Sequence, residues 1–299
     1  MIDPEKQQQI FEQILFISTG QPLAVSSIRF ISGGCINNAI QLNTDQGRFF
    51  LKWNESKPEE FFAVEARGLE LLSRCDALRT PEVLGVGRIE NTSYLLLEYI
   101  ESSYPRDVFW QRLGEGLAAQ HQRPGRDFGF GLDFNNYIGG LRQSNEPQQD
   151  GISFFIEKRL RVQAGLAFYE GKVDARFLDR MEALYERLPE LLPEEPPALL
   201  HGDLWSGNFL SGPQFMPYIL DPAVYYGSRE AELAFTRLFG GFDPVFYSAY
   251  ESVYPLTSGF SERAEIYNLY PLLVHTNLFD TSYLSGVERV LNKYIPSGL

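Results

Sequence analysis

His201-Gly202-Asp203-Leu204-Trp205-Ser206-Gly207-Asn208 places a carboxylate and, five positions on, a carboxamide, and Asp221 follows eighteen residues after Asp203. Apolar Ala198-Leu199-Leu200 runs into the first carboxylate, and Tyr218-Ile219-Leu220 ends on the last. Two short buried strands would each deliver a carboxylate to a loop. Phosphoryl transfer needs this arrangement: one Asp takes the proton from the attacking hydroxyl, an Asn five positions on holds metal, and a later Asp grips Mg²⁺ between the phosphates. A lone D-x-x-x-x-N more often shapes a polar turn, and an Asp after an apolar run can cap a helix. His201 ahead of Asp203, and a second Asp at a strand end, reverse that reading.

The elements before this segment must supply a cation and a cover for phosphates. Pro4 to Phe16 reads as a helix with Ile10, Ile14 and Leu15 on one stripe. Val25 to Ile31 and Cys35 to Leu42 read as strands joined through Gly33 and Gly34, and Thr44 to Gly47 as a hairpin turn leading into Arg48 to Trp53. The two glycines could bring backbone N–H groups over phosphate oxygens, but they lack G-x-G-x-x-G spacing, and an ordinary hairpin turn is the alternative. Lys52 lies in the apolar strand Phe49 to Trp53. In the helix from Pro58 to Arg74, 3.6-residue periodicity puts Glu65 in the stripe of Phe61, Phe62, Leu69 and Leu72, with Glu60 and Glu70 opposite. A carboxylate carried into a packed face demands a cation, and Lys52 is the nearest candidate; strand Lys with helix Glu is the pair that positions phosphates in kinases.

Further strands are expected over Pro81 to Ile89 and Ser93 to Ile100, after which the chain becomes mainly helical. The boundary is drawn after residue 100, giving a nucleotide-binding lobe over 1–100 and a catalytic, substrate-binding lobe over 101–299, with backbone groups of the connecting segment near Ile100 to Tyr104 meeting an adenine ring. Helices are expected at Asp107 to Gln122, Ile152 to Tyr169, Asp174 to Leu188, Ser228 to Phe239 and within Ser261 to Tyr294. Phe128 to Gly140 reads as a glycine-rich loop, a substrate wall or a structural Ω-loop, and Pro189 to Pro197 as a connector.

The formal charge of −13, from 26 basic and 39 acidic residues, opposes binding to a nucleic-acid backbone. Cys35 and Cys75 are the only cysteines, too few for a disulfide framework or a four-thiolate zinc site, which favours a reducing compartment. No run approaches membrane-spanning length, and the first residues lack the apolar core of a signal peptide. A cytoplasmic protein follows, with neither nucleic acid nor membrane as a partner.

On these residues the chain resembles the fructosamine kinase (ketosamine-3-kinase) family, in the aminoglycoside phosphotransferase branch of protein-kinase-like folds. The narrowest pieces are Asp203-Leu204-Trp205-Ser206-Gly207-Asn208, Asp221-Pro222-Ala223-Val224-Tyr225-Tyr226-Gly227, Arg229-Glu230-Ala231-Glu232-Leu233-Ala234 and Leu238-Phe239-Gly240-Gly241-Phe242. The resemblance implies an α+β, two-lobed fold, with a small β-rich first lobe and a larger, mainly helical second one. It implies ATP-dependent phosphorylation, with Mg²⁺, of the 3-hydroxyl of a small-molecule or protein-attached ketosamine, and hence deglycation. Asp203 would be the catalytic base, Asn208 and Asp221 the Mg²⁺ ligands, and Lys52, held by Glu65, the phosphate-positioning cation. Gly33, Gly34 and Cys35 would lie over the phosphates, Glu98, Tyr99 and Ile100 would contact adenine through backbone atoms, and Trp205 would wall the sugar-amine pocket. In the family a cysteine in that loop suggests redox control, against which a lone Cys is usually a small apolar filler. A monomer is expected, with a dimer as the alternative. Ser228 departs from the family, which usually has His there; it could cap the next helix. The rivals are another small-molecule kinase of the aminoglycoside or choline type, and a silent pseudokinase, which should have lost one of Lys52, Asp203, Asn208 or Asp221.

Overall fold

A computed structural model describes residues 4–31, 37–127 and 129–295. Gly33, Gly34 and Cys35, expected over the phosphates, lie outside the described residues. The chain opens with α1 (Pro4–Thr19), then β1 (Val25–Phe30), β2 (Asn38–Thr44), β3 (Gly47–Asn54), α2 (Glu59–Ser73), β4 (Val83–Ile89) and β5 (Thr92–Glu98). The five strands form one antiparallel sheet in the order β1-β2-β3-β5-β4. Strand periodicity sorts β3. Leu51 and Trp53 enter a buried cluster with Ile10, Phe11, Ile14 and Leu15 of α1, where Phe11 meets Trp53 edge-on at 5.1 Å. Lys52, between them, takes the opposite face, where α2 buries Phe61, Phe62, Leu69 and Leu72.

The chain continues through α3 (Asp107–His121), the β6 (Asn136–Ile138) and β7 (Leu141–Gln143) hairpin, α4 (Gly151–Phe155), a π-helical turn at Ile156–Leu160, α5 (Arg161–Tyr169) and α6 (Ala175–Leu191). The strands β8 (Ala198–Leu200), β9 (Phe209–Ser211), β10 (Pro217–Ile219) and β11 (Tyr225–Gly227) follow, then α7 (Arg229–Phe235), α8 (Pro244–Val253), α9 (Phe260–Tyr267), α10 (Leu269–Leu278) and α11 (Leu284–Tyr294). Among the described residues no helix is long and apolar enough to cross a membrane.

By contact density the chain divides into two units: residues up to Phe109 join Phe209–Pro222 in the first, and Trp110–Asn208 joins Ala223 onward in the second. The β9–β10 hairpin belongs to the first unit through backbone bonds. Arg79 N–H donates to Pro217 O at 3.3 Å, Ile219 N–H to Arg79 O at 2.9 Å, and Ser103 N–H to Ser211 O at 2.7 Å. The second unit is built around β8 and β11, paired antiparallel with Leu200 opposite Tyr225, and around a core of Phe130, Phe154, Leu200 and Tyr225.

Several expectations are corrected. The helix expected over Ile152 to Tyr169 is interrupted by the π turn. The expected connector after Leu188 begins later, because α6 runs through Pro189 to Leu191 and Leu192 N–H still donates to Leu188 O at 2.9 Å. The expected glycine-rich loop carries β6 near its end, paired with β7 just beyond it, and α8 forms where no helix is expected. An Asp243 cap and Pro244 at its first turn start α8, a pairing the sequence does carry. Ser228 stands at the N-cap of α7 but makes no side-chain cap; its hydroxyl donates to Tyr267 Oη at 3.0 Å instead.

Candidate active site

In the first unit, Lys52 Nζ lies 2.8 Å from Glu65 Oε1 and 2.7 Å from Asp221 Oδ1. The lysine and Glu65 side chains are only 7% and 12% exposed, whereas Asp221 is 46% exposed. Burial alone would lower the pKa of the Lys52 ammonium, but the Asp221 and Glu65 carboxylates outweigh it and hold the pKa above its ordinary value. The Glu65 carboxyl is pushed up by burial, against the pull of Lys52. The expected strand-lysine, helix-glutamate pair is therefore present, and Asp221 joins it. Asp221 sits at φ 55°, a left-handed conformation that an L-residue holds only when its surroundings impose it. Its second carboxylate oxygen has no hydrogen-bond partner among the described residues. The sheet register ends at the Phe49–Glu98 pair, so Tyr99 and Ile100 lie beyond it, and Glu98 N–H is taken by Glu82 O at 3.0 Å.

In the second unit, Asn208 is buried and its Nδ2 donates to Asp203 O at 2.8 Å and to Asp203 Oδ2 at 2.9 Å. Both acceptors are oxygens, which fixes the amide orientation and turns its own oxygen away from Asp203. His201 is fully buried; its Nδ1 accepts from Asp203 N–H at 3.2 Å, which orders the turn as expected of a structural residue. Gly202 has φ 82°, and a Cβ there would lie 2.1 Å from Ala223 O. Only glycine fits. Trp205 folds back over Gly207, where a Cβ would lie 2.4 Å from the indole, and meets Phe239 edge-on at 6.4 Å.

Two parts of this turn's support were missed by sequence reasoning. Glu232 of α7 is buried; Oε1 accepts from Gly202 N–H at 2.8 Å, and Oε2 lies 2.9 Å from His121 Nε2. Burial alone would raise the Glu232 carboxyl, but His121, His201 and the Gly202 N–H together hold it below its ordinary value. Its neighbours Arg229 and Glu230 are also buried, paired with Glu195 at 2.9 Å and Arg263 at 2.6 Å. The available signal was three charged residues packed into one short apolar helix. The second part is the hairpin: Gln143 Nε2 donates to Ala223 O at 3.0 Å and Asn136 Nδ2 to Val224 O at 2.8 Å. The glycine-rich segment thus supports the chain that follows Asp221.

Asp221 of the first unit and Asn208 of the second each offer a side-chain oxygen, the donor type that a hard divalent cation takes. Mg²⁺ is usually held by one or two protein oxygens plus substrate phosphates, and among the described residues no cluster of three or more His, Cys, Asp or Glu is arranged for a metal. Asp221 and Asn208 each keep one oxygen with no partner among the described residues.

A buried strand lysine paired with a helix glutamate points to a phosphotransferase of the protein-kinase-like class. The fructosamine kinase family model matches residues 7–297. A probable ketoamine kinase of Synechocystis is 38% identical over 97% of this chain and 97% of the relative. The chloroplastic protein-ribulosamine 3-kinase of Arabidopsis thaliana is 35% identical over 93% of this chain and 86% of its own length. Among solved structures, a "putative fructosamine-3-kinase" from Haemophilus somnus superposes with a TM-score of 0.85 at 30% identity, covering 95% of this chain and 96% of that one. The chain belongs to the fructosamine kinase family, and it is a ketosamine kinase.

Proposed function

We propose that the protein transfers the γ-phosphoryl group of ATP to the 3-hydroxyl of fructosamines or ribulosamines, borne by small amines or by proteins, and that amine release from the products makes this a cytoplasmic deglycation. The observation that carries the reading is Lys52, a buried ammonium kept charged by two carboxylates, in a chain of this family. The 3-hydroxyl is supported by the name of the plant relative.

In this reading the first unit binds nucleotide. Lys52 faces the phosphates, Glu65 holds Lys52, and backbone atoms of Glu98, Tyr99 and Ile100 receive adenine. Asn208 and Asp221 would hold Mg²⁺ through their unpartnered oxygens. When bound, the ion offsets charge on the phosphates as the phosphoryl group moves. Asp203, its Oδ2 fixed by Asn208, orients the sugar hydroxyl and takes its proton. Trp205 offers an indole face to the apolar side of the sugar, which favours a ketosamine with an extended carbon face.

A coupled ATP-consumption assay over fructosamines, ribulosamines, free sugars and amino alcohols tests the assignment. Ketosamines should exceed the others in kcat/KM by roughly 100-fold or more, the discrimination available to a site built around specific polar groups. Selective turnover of an amino alcohol would instead assign the chain a substrate of the choline or aminoglycoside kinase type.

A further inference from the structure

Arg159 is fully buried, and it is the largest fully buried side chain among the described residues. Its acceptors are all neutral. Nη1 donates to Ser144 O at 2.7 Å and Lys158 O at 3.0 Å, and Nη2 donates to Asn145 Oδ1 at 2.7 Å. The guanidinium carbon lies 4.0 Å from the Tyr225 ring centroid, 4.6 Å from that of Phe154 and 5.6 Å from that of Tyr270. A buried cation without a carboxylate is costly, and ring faces with carbonyl acceptors offset only part of the cost. Folding alone does not explain such a residue, since an apolar side chain of similar volume would fill the space at lower cost.

What Arg159 touches gives the explanation. Asn145, its acceptor, donates through Nδ2 to Asn136 Oδ1 at 3.0 Å, and Gln143 Nε2 donates to the same oxygen at 2.8 Å. Tyr270 Oη donates to Gln143 Oε1 at 2.6 Å. Gln143 and Asn136 in turn satisfy the Ala223 and Val224 carbonyls, and Ala223 N–H donates to His201 O at 2.9 Å. Gly202 lies against that same Ala223 carbonyl. Arg159 therefore sits at the root of a buried polar chain whose last hydrogen bond reaches His201, two residues before Asp203. It is carried by the π turn at Ile156–Leu160, and π turns within α-helices recur at functional positions.

We propose that Arg159 is a positioning residue for phosphoryl transfer: through Asn145, Asn136 and Gln143 it clamps Ala223 and Val224 against His201 and Gly202, and so fixes the aim of the Asp203 carboxylate. The Tyr270 phenol is pushed up by burial, with Arg159 opposing and Asp203 adding to the rise, so cation and carboxylate act on one ring. The proposal rests on Asp203 being the base.

The test compares Arg159→Met, Arg159→Lys, Tyr270→Phe and Asp203→Asn, reading kcat, both KM values, nucleotide affinity by calorimetry, and melting temperature. Arg159→Met, assayed well below its own melting point, should lose roughly 30- to 100-fold in kcat, the scale of an ångström-level misplacement, with nucleotide affinity within about twofold. Arg159→Lys keeps the charge without the planar fork and should recover only part of this. Tyr270→Phe should cost about three- to tenfold in kcat while leaving KM for ATP unchanged, a split that a purely structural role would not produce. If Arg159→Met does not fold, Tyr270→Phe decides: kcat within about twofold of wild type, with the same result for any folded Arg159 variant, overturns the proposal. Full turnover in Asp203→Asn would overturn the base assignment instead, and is scored separately from the Arg159 series.

Discussion

Glu65→Gln removes one of two anions from a buried ammonium and leaves the shape of the side chain intact. At the observed 2.8 Å, opposite unit charges attract by about 6 kcal/mol at an effective dielectric constant near 20. Much of that is offset by the cost of desolvating both groups, and Asp221, at 2.7 Å, still faces Lys52 after the substitution. The net loss of stability should be about 1–3 kcal/mol, below the 3–5 kcal/mol for breaking a buried pair that has no second partner. Lys52→Met alone leaves the Glu65 carboxylate buried without its cation, so it should cost about 3–5 kcal/mol in stability as well as activity. A double-mutant cycle with urea unfolding isolates the pairwise part, and a coupling of about 1.5–3 kcal/mol between Lys52→Met and Glu65→Gln is expected. Coupling below about 0.5 kcal/mol, with single-mutant effects that simply add, would refute the view that Glu65 exists to hold Lys52.

Gly202→Ala should cost about 3 kcal/mol or more and abolish turnover, since the left-handed φ of 82° and the Ala223 oxygen 2.1 Å from the new Cβ cannot both be accommodated; thermal melts and kcat check it. Gly207→Ala pushes on the indole of Trp205 and should raise KM for ketosamine about tenfold, with KM for ATP unchanged if Trp205 walls the sugar pocket. Glu232 has a folded pKa held below its unfolded value of about 4.3. Its contribution is therefore full above about pH 4.3 and is lost as pH falls through the lower folded value. Melting temperature measured from pH 7 to pH 3 should thus fall more steeply below that point in wild type than in Glu232→Gln; parallel curves would contradict it.

Local pattern was enough for Lys52 and Glu65, because strand and helix periodicities each assign a face and a buried carboxylate calls for a cation. The Asp203 turn was legible for a similar reason: His201, Gly202, Asp203 and Asn208 lie within eight residues, and His201 and Asn208 each bond to Asp203. What supports the turn was not legible. Glu232 meets Gly202 across thirty positions, and Gln143 meets Ala223 across eighty. No spacing rule reaches that far, and a glycine-rich stretch such as 129–140 reads as a loop until its partners are known. Ser228 shows the opposite failure. A serine before a helix reads as a cap, yet its hydroxyl found Tyr267, a contact made by tertiary packing that overrides the local preference.

The most direct measurement is single-turnover phosphorylation of a fructosamine by Asp203→Asn, paired with calorimetric binding of an ATP analogue. Turnover should be abolished while nucleotide affinity stays within about tenfold of wild type, or roughly 1.4 kcal/mol. Phosphorylation at a near wild-type rate would contradict the assignment of Asp203 as the base.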